Sequence, residues 1–175
     1  MKVGEILAKK IYIKNAKDLE GFIANQIANN LFFSSNLQDK TAEIMQENII
    51  KNVYDAFEPR KYQRRGKNDN NTEAFSHMDN MEFTSVDIQN GNVRFVFENT
   101  AEGNDSMSGK ELTDMFENGT RENWDAPNVT DDYGRVASDP RPFIQSTIDD
   151  LNKSKGELVD ALKKDLRGLG FQIKN

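Results

Sequence analysis

The stretch Met81–Phe97, MEFTSVDIQNGNVRFVF, decides the fold class. It holds two short runs rich in β-branched and aromatic residues, separated by Asn90-Gly91. Such runs favour strands, and Asn-Gly tolerates the two positive-φ positions of a type I′ turn. We therefore predict a β-hairpin with strands over Met81–Gln89 and Val93–Phe97. The candidates for its buried face on the first strand are Phe83, Val86 and Ile88.

Two amphipathic helices are predicted before the hairpin. The first covers Asn15 to about Phe33, where apolar residues recur at steps of three and four. The second covers about Leu37 to Phe57, and Pro59 ends it because the residue before a proline is pushed out of the helical region. The polar residues between the two helices, which offer N-cap oxygens, are Ser34, Ser35 and Asn36.

Two further helices are predicted after the hairpin. A short one covers Gly109 to Asn118, with Ser108 as its N-cap and Gly119 closing it. A longer one, the longest of the chain, begins near Pro142 and ends near Gly168 or Gly170. Its apolar stripe is Ile144, Ile148, Leu151, Leu158, Leu162, Leu166 and Leu169.

Residues 171–173 are predicted to form a final short strand. The order α-α-β-β-α-α-β indicates an α+β fold: a small antiparallel sheet with a β-hairpin, packed by amphipathic helices including a long C-terminal helix. The length of 175 residues suits a single α+β domain over residues 1–175. A segment without periodicity at about 120–139 is predicted as a long loop, and such loops are usually functional or disordered.

The composition excludes several classes of protein. Only 36% of the residues are hydrophobic and 30% are charged, and the longest apolar runs span a few residues. A transmembrane helix needs roughly 20 apolar residues, so no membrane span is expected, and no secretory signal either. The chain has no cysteine, which removes disulfides, thiolate nucleophiles and cysteine zinc sites.

Charge is unevenly distributed along the chain. Residues 66–139 hold 5 basic and 16 acidic side chains, whereas residues 1–65 hold 11 and 8. An acidic middle argues against a nucleic-acid-binding domain with a basic stripe. It fits either segments that face different protein partners or a loop-rich, solvated middle.

The residue types give little support for a catalytic role. His77 is the single histidine, and a loop histidine without a catalytic role is the better interpretation. The eleven glycines are scattered and form no phosphate-binding loop. We expect no enzyme, and neither cofactor nor metal site.

One basic and aromatic cluster lies between the second helix and the hairpin. It consists of Arg60, Lys61, Tyr62, Arg64 and Arg65. The cluster fits three roles: phosphate contacts, since Lys and Arg give sequence-independent affinity for nucleic acid; a helix-end patch on the preceding carbonyls; or a contact for acidic surfaces, including this chain's own middle. Trp124 in the long loop is either an interface anchor or a cover for the core edge.

Two stretches carry a resemblance to a family. Phe116–Thr120, followed after a loop by Pro140–Asp149 (PRPFIQSTID), resembles the neck or tail-completion proteins of long-tailed bacteriophages. Tyr54–Gly66 is similar to virion proteins of phages that infect Gram-positive hosts. The resemblance implies a non-enzymatic virion component at the head–tail junction, assembled in the host cytoplasm.

The same resemblance implies partners and contact residues. Copies of the chain would form a ring of six or twelve between the portal or adaptor and the tail or tail-terminator proteins, and genomic DNA would pass through without specific binding. The candidate interface residues are Tyr54, Arg60, Lys61, Tyr62, Arg64, Arg65, Gly119, Thr120, Trp124, Arg141 and Phe143. The alternative is a nucleic-acid-binding accessory protein that uses the Arg60–Arg65 cluster.

Overall fold

The computed structural model describes residues 16–33, 35–57, 74–89, 92–102, 108–119 and 139–173. Within these ranges the chain is α+β, with five α-helices and one two-stranded antiparallel sheet, and the predicted fold class is confirmed. No helix among these residues is long and apolar enough to cross a membrane.

The two helices before the hairpin form as predicted. Helix α1 covers Ala16–Phe33 and helix α2 covers Asn36–Ile49. Ser35 caps α2, since its Oγ accepts the Gln38 N–H at 3.0 Å. After α2 the backbone widens into a π-helical turn, Ile50–Tyr54, so regular helix stops short of the predicted end at Phe57.

The predicted hairpin is confirmed, with one extra feature. Strand β1 covers Met81–Gln89 and strand β2 covers Asn92–Asn99, while the Asn90-Gly91 turn lies outside the described residues. Phe83 pairs with Phe97, and Ser85 pairs with Val96, so Thr84 is an extra residue in β1. This bulge brings Phe83 onto the same face as Val86 and Ile88, although the step between Phe83 and Val86 is odd.

Helix α2 lies at the centre of the molecule. It contacts two C-terminal helices, α4 (Phe143–Lys153) and α5 (Lys155–Gly168), as well as β1, whereas α1 packs mainly on the hairpin. The buried core cluster comprises Ala42, Met45, Ile49, Val53, Tyr54, Phe75, Met81, Ala101 and Phe143. This core joins residues that lie before, within and after the hairpin.

Helix α3, Gly109–Asn118, has the predicted ends. Ser108 Oγ accepts the Glu111 N–H at 3.3 Å, and the Glu111 carboxylate accepts the Ser108 N–H at 2.8 Å, which completes a capping box. Gly119 closes the helix in the left-handed region at φ 73°. Glycine is favoured there because other residues pay a steric cost from their Cβ.

The predicted long C-terminal helix is interrupted. The structure has α4 over Phe143–Lys153 and α5 over Lys155–Gly168, with Ser154 between them at φ −90°, ψ 18°. Ser154 and Gly156 explain the break, because serine competes for backbone hydrogen bonds and glycine favours helix poorly. The longest described helix is therefore α1, with 18 residues.

The predicted final strand at residues 171–173 is wrong. These residues have no strand conformation, and the described sheet has only β1 and β2. Gly170 turns the chain at φ 88°, and the Phe171 N–H donates to Leu166 O at 3.0 Å. Both features are typical of a helix C-terminus, so this end of the chain caps α5.

Candidate functional site

The candidate interface residues that the structure describes lie inside the molecule. Tyr54 is 5% exposed, Arg141 6% and Phe143 0%, and Gly119 is also buried. These four residues are buried within their own chain, which gives them a structural role, and their predicted interface role stays a prediction. The other candidates, which lie outside the described residues, are Arg60, Lys61, Tyr62, Arg64, Arg65, Thr120 and Trp124.

Three of the buried candidates lie together with two half-buried residues of α3 in what we call the loop-base junction: Phe116, Glu117, Gly119, Arg141 and Phe143. The Arg141 N–H donates to Phe116 O at 2.8 Å, and the Phe143 N–H donates to Arg141 O at 2.7 Å. These bonds join the end of α3 to the start of α4. The described residues just before and just after residues 120–138 are therefore close in space.

Glu117 fastens the junction to α4. Its Oε2 accepts the Ile144 N–H at 2.9 Å, and its Oε1 accepts the Gln145 N–H at 3.3 Å. Pro142 precedes α4 and makes no side-chain cap. Glu117 therefore satisfies helix N-terminal donors and places a negative charge at the positive end of the helix dipole.

The Arg141 guanidinium is held between aromatic rings. Its Cζ lies 5.0 Å from the centroid of the Phe57 ring and 6.0 Å from that of Phe116. Both distances are within the range of cation–π attraction, which is stronger for a desolvated cation. Phe57 is the last described residue before segment 58–73, so Arg141 touches the base of that segment as well.

Phe75 extends the aromatic cluster to the far end of segment 58–73. Its ring centroid lies 5.1 Å from that of Phe116 and 5.5 Å from that of Phe143, the latter in an edge-to-face arrangement. Such offset and edge-on pairs contribute about 0.5–1.5 kcal/mol beyond the area they bury. The two neighbours of segment 58–73 and the two neighbours of segment 120–138 thus meet in one cluster.

Amide side chains hold the chain just after segment 58–73 in place. Asn99 Nδ2 donates to Phe75 O at 2.6 Å, Gln46 Nε2 donates to Ser76 O at 2.8 Å, and Asn80 Nδ2 donates to Ala74 O at 2.8 Å. Asn99 is buried, so its bonds replace those to water. Part of the asparagine content of the chain therefore serves to position backbone carbonyls.

His77 also has a structural position. Its Nδ1 accepts the Asp79 N–H at 3.3 Å and caps a 3₁₀ turn, Met78–Asn80, before β1. Among the residues that the structure describes, no three His, Asp or Glu side chains gather in a way that would hold a metal ion.

One exposed ion pair, between Lys40 and Glu157, links α5 to α2. Lys40 Nζ lies 2.8 Å from Glu157 Oε2 and 3.2 Å from Glu43 Oε2 in an open groove of about 400 Å³ between α2 and α5. Hydrogen bonds to these carboxylates, first that of Glu157, raise the pKa of Lys40 above its ordinary value. Because the ammonium is exposed to solvent, this pair adds little to stability.

Two acidic side chains that cap the N-termini of other helices were not identified from the sequence. Asp165 of α5 accepts the N–H of Asn36 at 2.8 Å and the N–H of Leu37 at 3.0 Å, and so caps α2 from another helix. Glu117 does the same for α4. The sequence holds only an indirect indication of these caps. Pro142 precedes a helix and has no side chain that can cap it, so the cap has to come from another part of the chain.

Comparison with known proteins gives one family. The family model described as YomN matches residues 15–168. "SPbeta prophage-derived uncharacterized protein YomN" of Bacillus subtilis (strain 168) is 28% identical over 160 residues, which cover 91% of this chain and 97% of that protein. No solved structure matches the chain significantly.

Proposed function

The chain belongs to the YomN family, and from this premise we propose that it is a structural virion protein of a tailed bacteriophage. Its place in the particle is the head–tail connector, as a neck or tail-completion component between the portal or adaptor and the tail. It acts by binding neighbours and holds no cofactor.

The phage origin is supported by the relative. That protein is prophage-derived by its name, and the match spans nearly the full length of both chains. A match of this extent relates whole polypeptides rather than a shared module. The most economical inference is that this chain comes from the same kind of genome.

The head–tail role rests chiefly on one observation, the loop-base junction. The described parts of the two stretches that resemble neck proteins, residues 116–119 and Pro140–Asp149, meet in space, and residues 120–138 lie between them along the chain. Proteins often bind partners through loops carried on a rigid scaffold. The junction supplies that scaffold, and the segment it carries contains the single tryptophan.

In this proposal six or twelve copies form a ring at the head–tail junction. A ring needs a heterologous contact, in which one patch of a subunit meets a different patch of the next. The ring contacts the portal or adaptor on one side and the tail on the other, and genomic DNA passes through it without specific binding. The protein resides in the host cytoplasm until it joins the virion.

Loss of the gene from its phage tests the role. We expect lysates in which DNA-filled heads and complete tails accumulate separately, visible by electron microscopy. Purified chain added to such a lysate should restore joined, infectious particles in proportion to the amount added, because a structural part is consumed. Intact particles without the protein, or restoration by catalytic amounts, would contradict the proposal.

A mobility-shift titration distinguishes the nucleic-acid alternative. An accessory protein that uses the Arg60–Arg65 cluster binds DNA with strong salt dependence. A head–tail component that lets DNA pass gives no shift even at low salt.

A further inference from the structure

We infer that two exposed faces of the chain bind each other between neighbouring copies: the outer face of the hairpin in one copy and the outer face of α5 in the next. The inference rests on the proposed ring, for which it identifies the two different patches that a heterologous contact needs. Its occupant is a second copy of this chain, and each patch consists of residues that the structure describes.

The outer face of the hairpin is exposed and mainly acidic. On the inner face, the Phe83 ring centroid lies 4.6 Å from that of Phe95 and 5.4 Å from that of Phe97, which packs against the core. The opposite, outer face carries the exposed residues Glu82, Ser85, Asp87, Arg94, Val96 and Glu98. Three acids against one arginine leave this face with a net negative charge, and Val96 is 38% exposed within it.

Two acids lie directly opposite each other on this face. Glu82 pairs with Glu98 in the register of the hairpin, whereas Asp87 pairs with Arg94. Like charges directly opposite each other destabilise a sheet. The Thr84 hydroxyl donates to the Glu98 carboxylate, but a neutral donor leaves the charge in place. A cation supplied from outside the hairpin would remove the repulsion between the two carboxylates.

The outer face of α5 is mainly basic. Ala161 is buried and Asp165 caps the start of α2, so these two residues mark the side of the helix that faces α2. The other side of the helix carries four residues at steps of four: Lys155, Val159, Lys163 and Arg167. Val159 is 48% exposed, and Lys163 Nζ lies 3.9 Å from Asp160 Oδ1. An exposed ion pair this long contributes little, so it does not hold Lys163 away from a partner.

The two faces match in charge and in spacing. Val96 is two residues from Glu98 along a strand, about 7 Å. Val159 is four residues from Lys163 along a helix, about 6 Å. When the two valines are in contact, the carboxylate can therefore reach the ammonium, and such complementary charges set the orientation of two surfaces. A single exposed valine is common on protein surfaces and indicates nothing alone, so the match between the faces carries the inference.

The contact has to form between copies. The hairpin packs on α1, α2 and α3 of its own chain, whereas α5 packs on α2 and α4. Both outer faces are exposed in the same structure, so they do not cover each other. Each copy offers one face of each kind, which gives a head-to-tail arrangement that closes into a ring if the rotation between copies allows it.

Cysteine trapping of the purified full chain tests the contact, because the chain has no cysteine of its own. Val96→Cys and Val159→Cys copies are mixed under mild oxidation, and the disulfide-linked dimers are separated by non-reducing electrophoresis and identified by mass spectrometry. A disulfide needs Cα atoms within about 7 Å of each other, so it reports where two positions meet. In the control mixture Asn29→Cys, at an exposed position of α1, replaces Val159→Cys.

We expect the dimer that links position 96 to position 159 to form several-fold faster than either symmetric dimer and than the control dimer. Lys163→Glu in the Val159→Cys copy should lower this rate several-fold, and so should Glu98→Lys in the Val96→Cys copy. The two changes together restore opposite charges and should return the rate to near its original value. Glu98→Lys places a cation opposite Glu82, so the hairpin itself should not be destabilised by it.

Three results would overturn the inference. The first is a mixed dimer that forms no faster than the control dimer. The second is a symmetric dimer through position 96 or position 159 that forms fastest, which would indicate a two-fold contact. The third is a combined charge exchange that does not restore the rate.

The lysate assay with separate heads and tails tests the head–tail role independently. If the wild-type chain restores joined particles but the mixed dimer is not trapped, the role stands and this inference fails. If the mixed dimer is trapped but the phage assembles intact particles without the protein, the head–tail role fails and the contact between copies stands.

Discussion

Glu117 lies in α3 and caps the N-terminus of α4. Because it connects the two helices of the loop-base junction, we expect the junction to depend on it most. Replacing it with alanine removes the acceptors of the Ile144 and Gln145 N–H groups. We expect Glu117→Ala to lower the free energy of unfolding by about 1 kcal/mol, as loss of an N-cap does. Glu117→Gln, which keeps an acceptor but loses the charge at the helix dipole, should cost about 0.3–1 kcal/mol.

Urea denaturation measures these changes, and Asp114→Ala is the matched control. Asp114 is an exposed acid in the same helix, α3. A surface substitution of this kind changes stability by less than about 0.5 kcal/mol. Equal midpoints for Glu117→Ala and Asp114→Ala would show that the bonds to α4 contribute nothing.

Asp150 predicts a specific acid sensitivity. The Lys153 ammonium at 2.7 Å, and after it the buried Asn48 amide, hold the pKa of the Asp150 carboxyl below its ordinary value of 3.8. In the window between the two values the unfolded chain binds more protons than the folded one. This contribution to stability is therefore complete above the ordinary value and is lost as the pH falls through the folded pKa.

An Asp150→Asn variant should accordingly lose less stability than the wild type when the pH falls below about 4. Urea denaturation in a series of acidic buffers measures how steeply the free energy of unfolding falls with pH. Asp114→Asn serves as the control and should keep the wild-type slope. Parallel curves for the wild type and Asp150→Asn would show that Lys153 and Asn48 do not stabilise the charged carboxylate in the folded chain.

Sequence reasoning found important residues at this scale but could not show where they lie in the fold. Arg141 and Phe143 were recognised through a motif and predicted as contact residues, yet they are buried. The reason is distance along the chain: the ring that faces Arg141 belongs to Phe57, 84 residues earlier. A local sequence pattern cannot reveal that the Arg141 cation will pack against a ring so distant along the chain.

At the scale of elements, two glycines near helix N-termini should respond oppositely to alanine. A Cβ on Gly109 would overlap the carbonyl oxygen of Asn99, whereas a Cβ on Gly156 of α5 meets nothing within 4 Å. Gly109→Ala should lower the free energy of unfolding by about 1–3 kcal/mol, because backbone must move. Gly156→Ala should raise it by about 0.4–1 kcal/mol through a less flexible unfolded chain.

Thermal and urea unfolding of the two variants, compared with the wild type, check this pair. The signs of the two changes in the free energy of unfolding are more informative than their sizes. Helix propensity alone predicts that alanine raises this free energy at both positions. A gain at Gly109 would mean that α3 does not sit closely against the end of β2.

The hairpin shows why some elements were predictable and others were not. Strand composition and the Asn-Gly dipeptide are local signals, and both predicted strands were found. The interruption at Ser154 was missed because the apolar stripe continues through it with a step of seven residues. Apolar periodicity reports which face is buried, and it does not report an interruption of the helix at a serine.

At the scale of the whole molecule, the described residues pack into one body around α2, and the head–tail proposal assigns the partner contact to residues 120–138. The body is held by contacts between sequence-distant residues, such as Asp165 with the start of α2 and Asn48 with Asp150. Composition indicated a polar chain with an acidic middle, and it could not show that the ends of two polar segments meet. That meeting follows from tertiary packing around α2.

Replacing residues 120–138 with a five-residue Gly-Ser linker tests this division of the molecule. The bond from the Arg141 N–H to Phe116 O, at 2.8 Å, already holds the ends together. A loop shortened almost fourfold should therefore leave the fold intact and raise the free energy of unfolding by about 1 kcal/mol. In the lysate assay with separate heads and tails, the same variant should fail to restore joined particles.

A second variant with 19 Gly and Ser residues in place of 120–138 separates length from chemistry, since it keeps the loop length and removes Trp124 and the acids. It should match the wild type in thermal unfolding and still fail in particle joining. If either variant joined heads to tails at the wild-type level, the contact would have to lie on another surface. If both unfolded, the segment would be part of the core rather than carried by it.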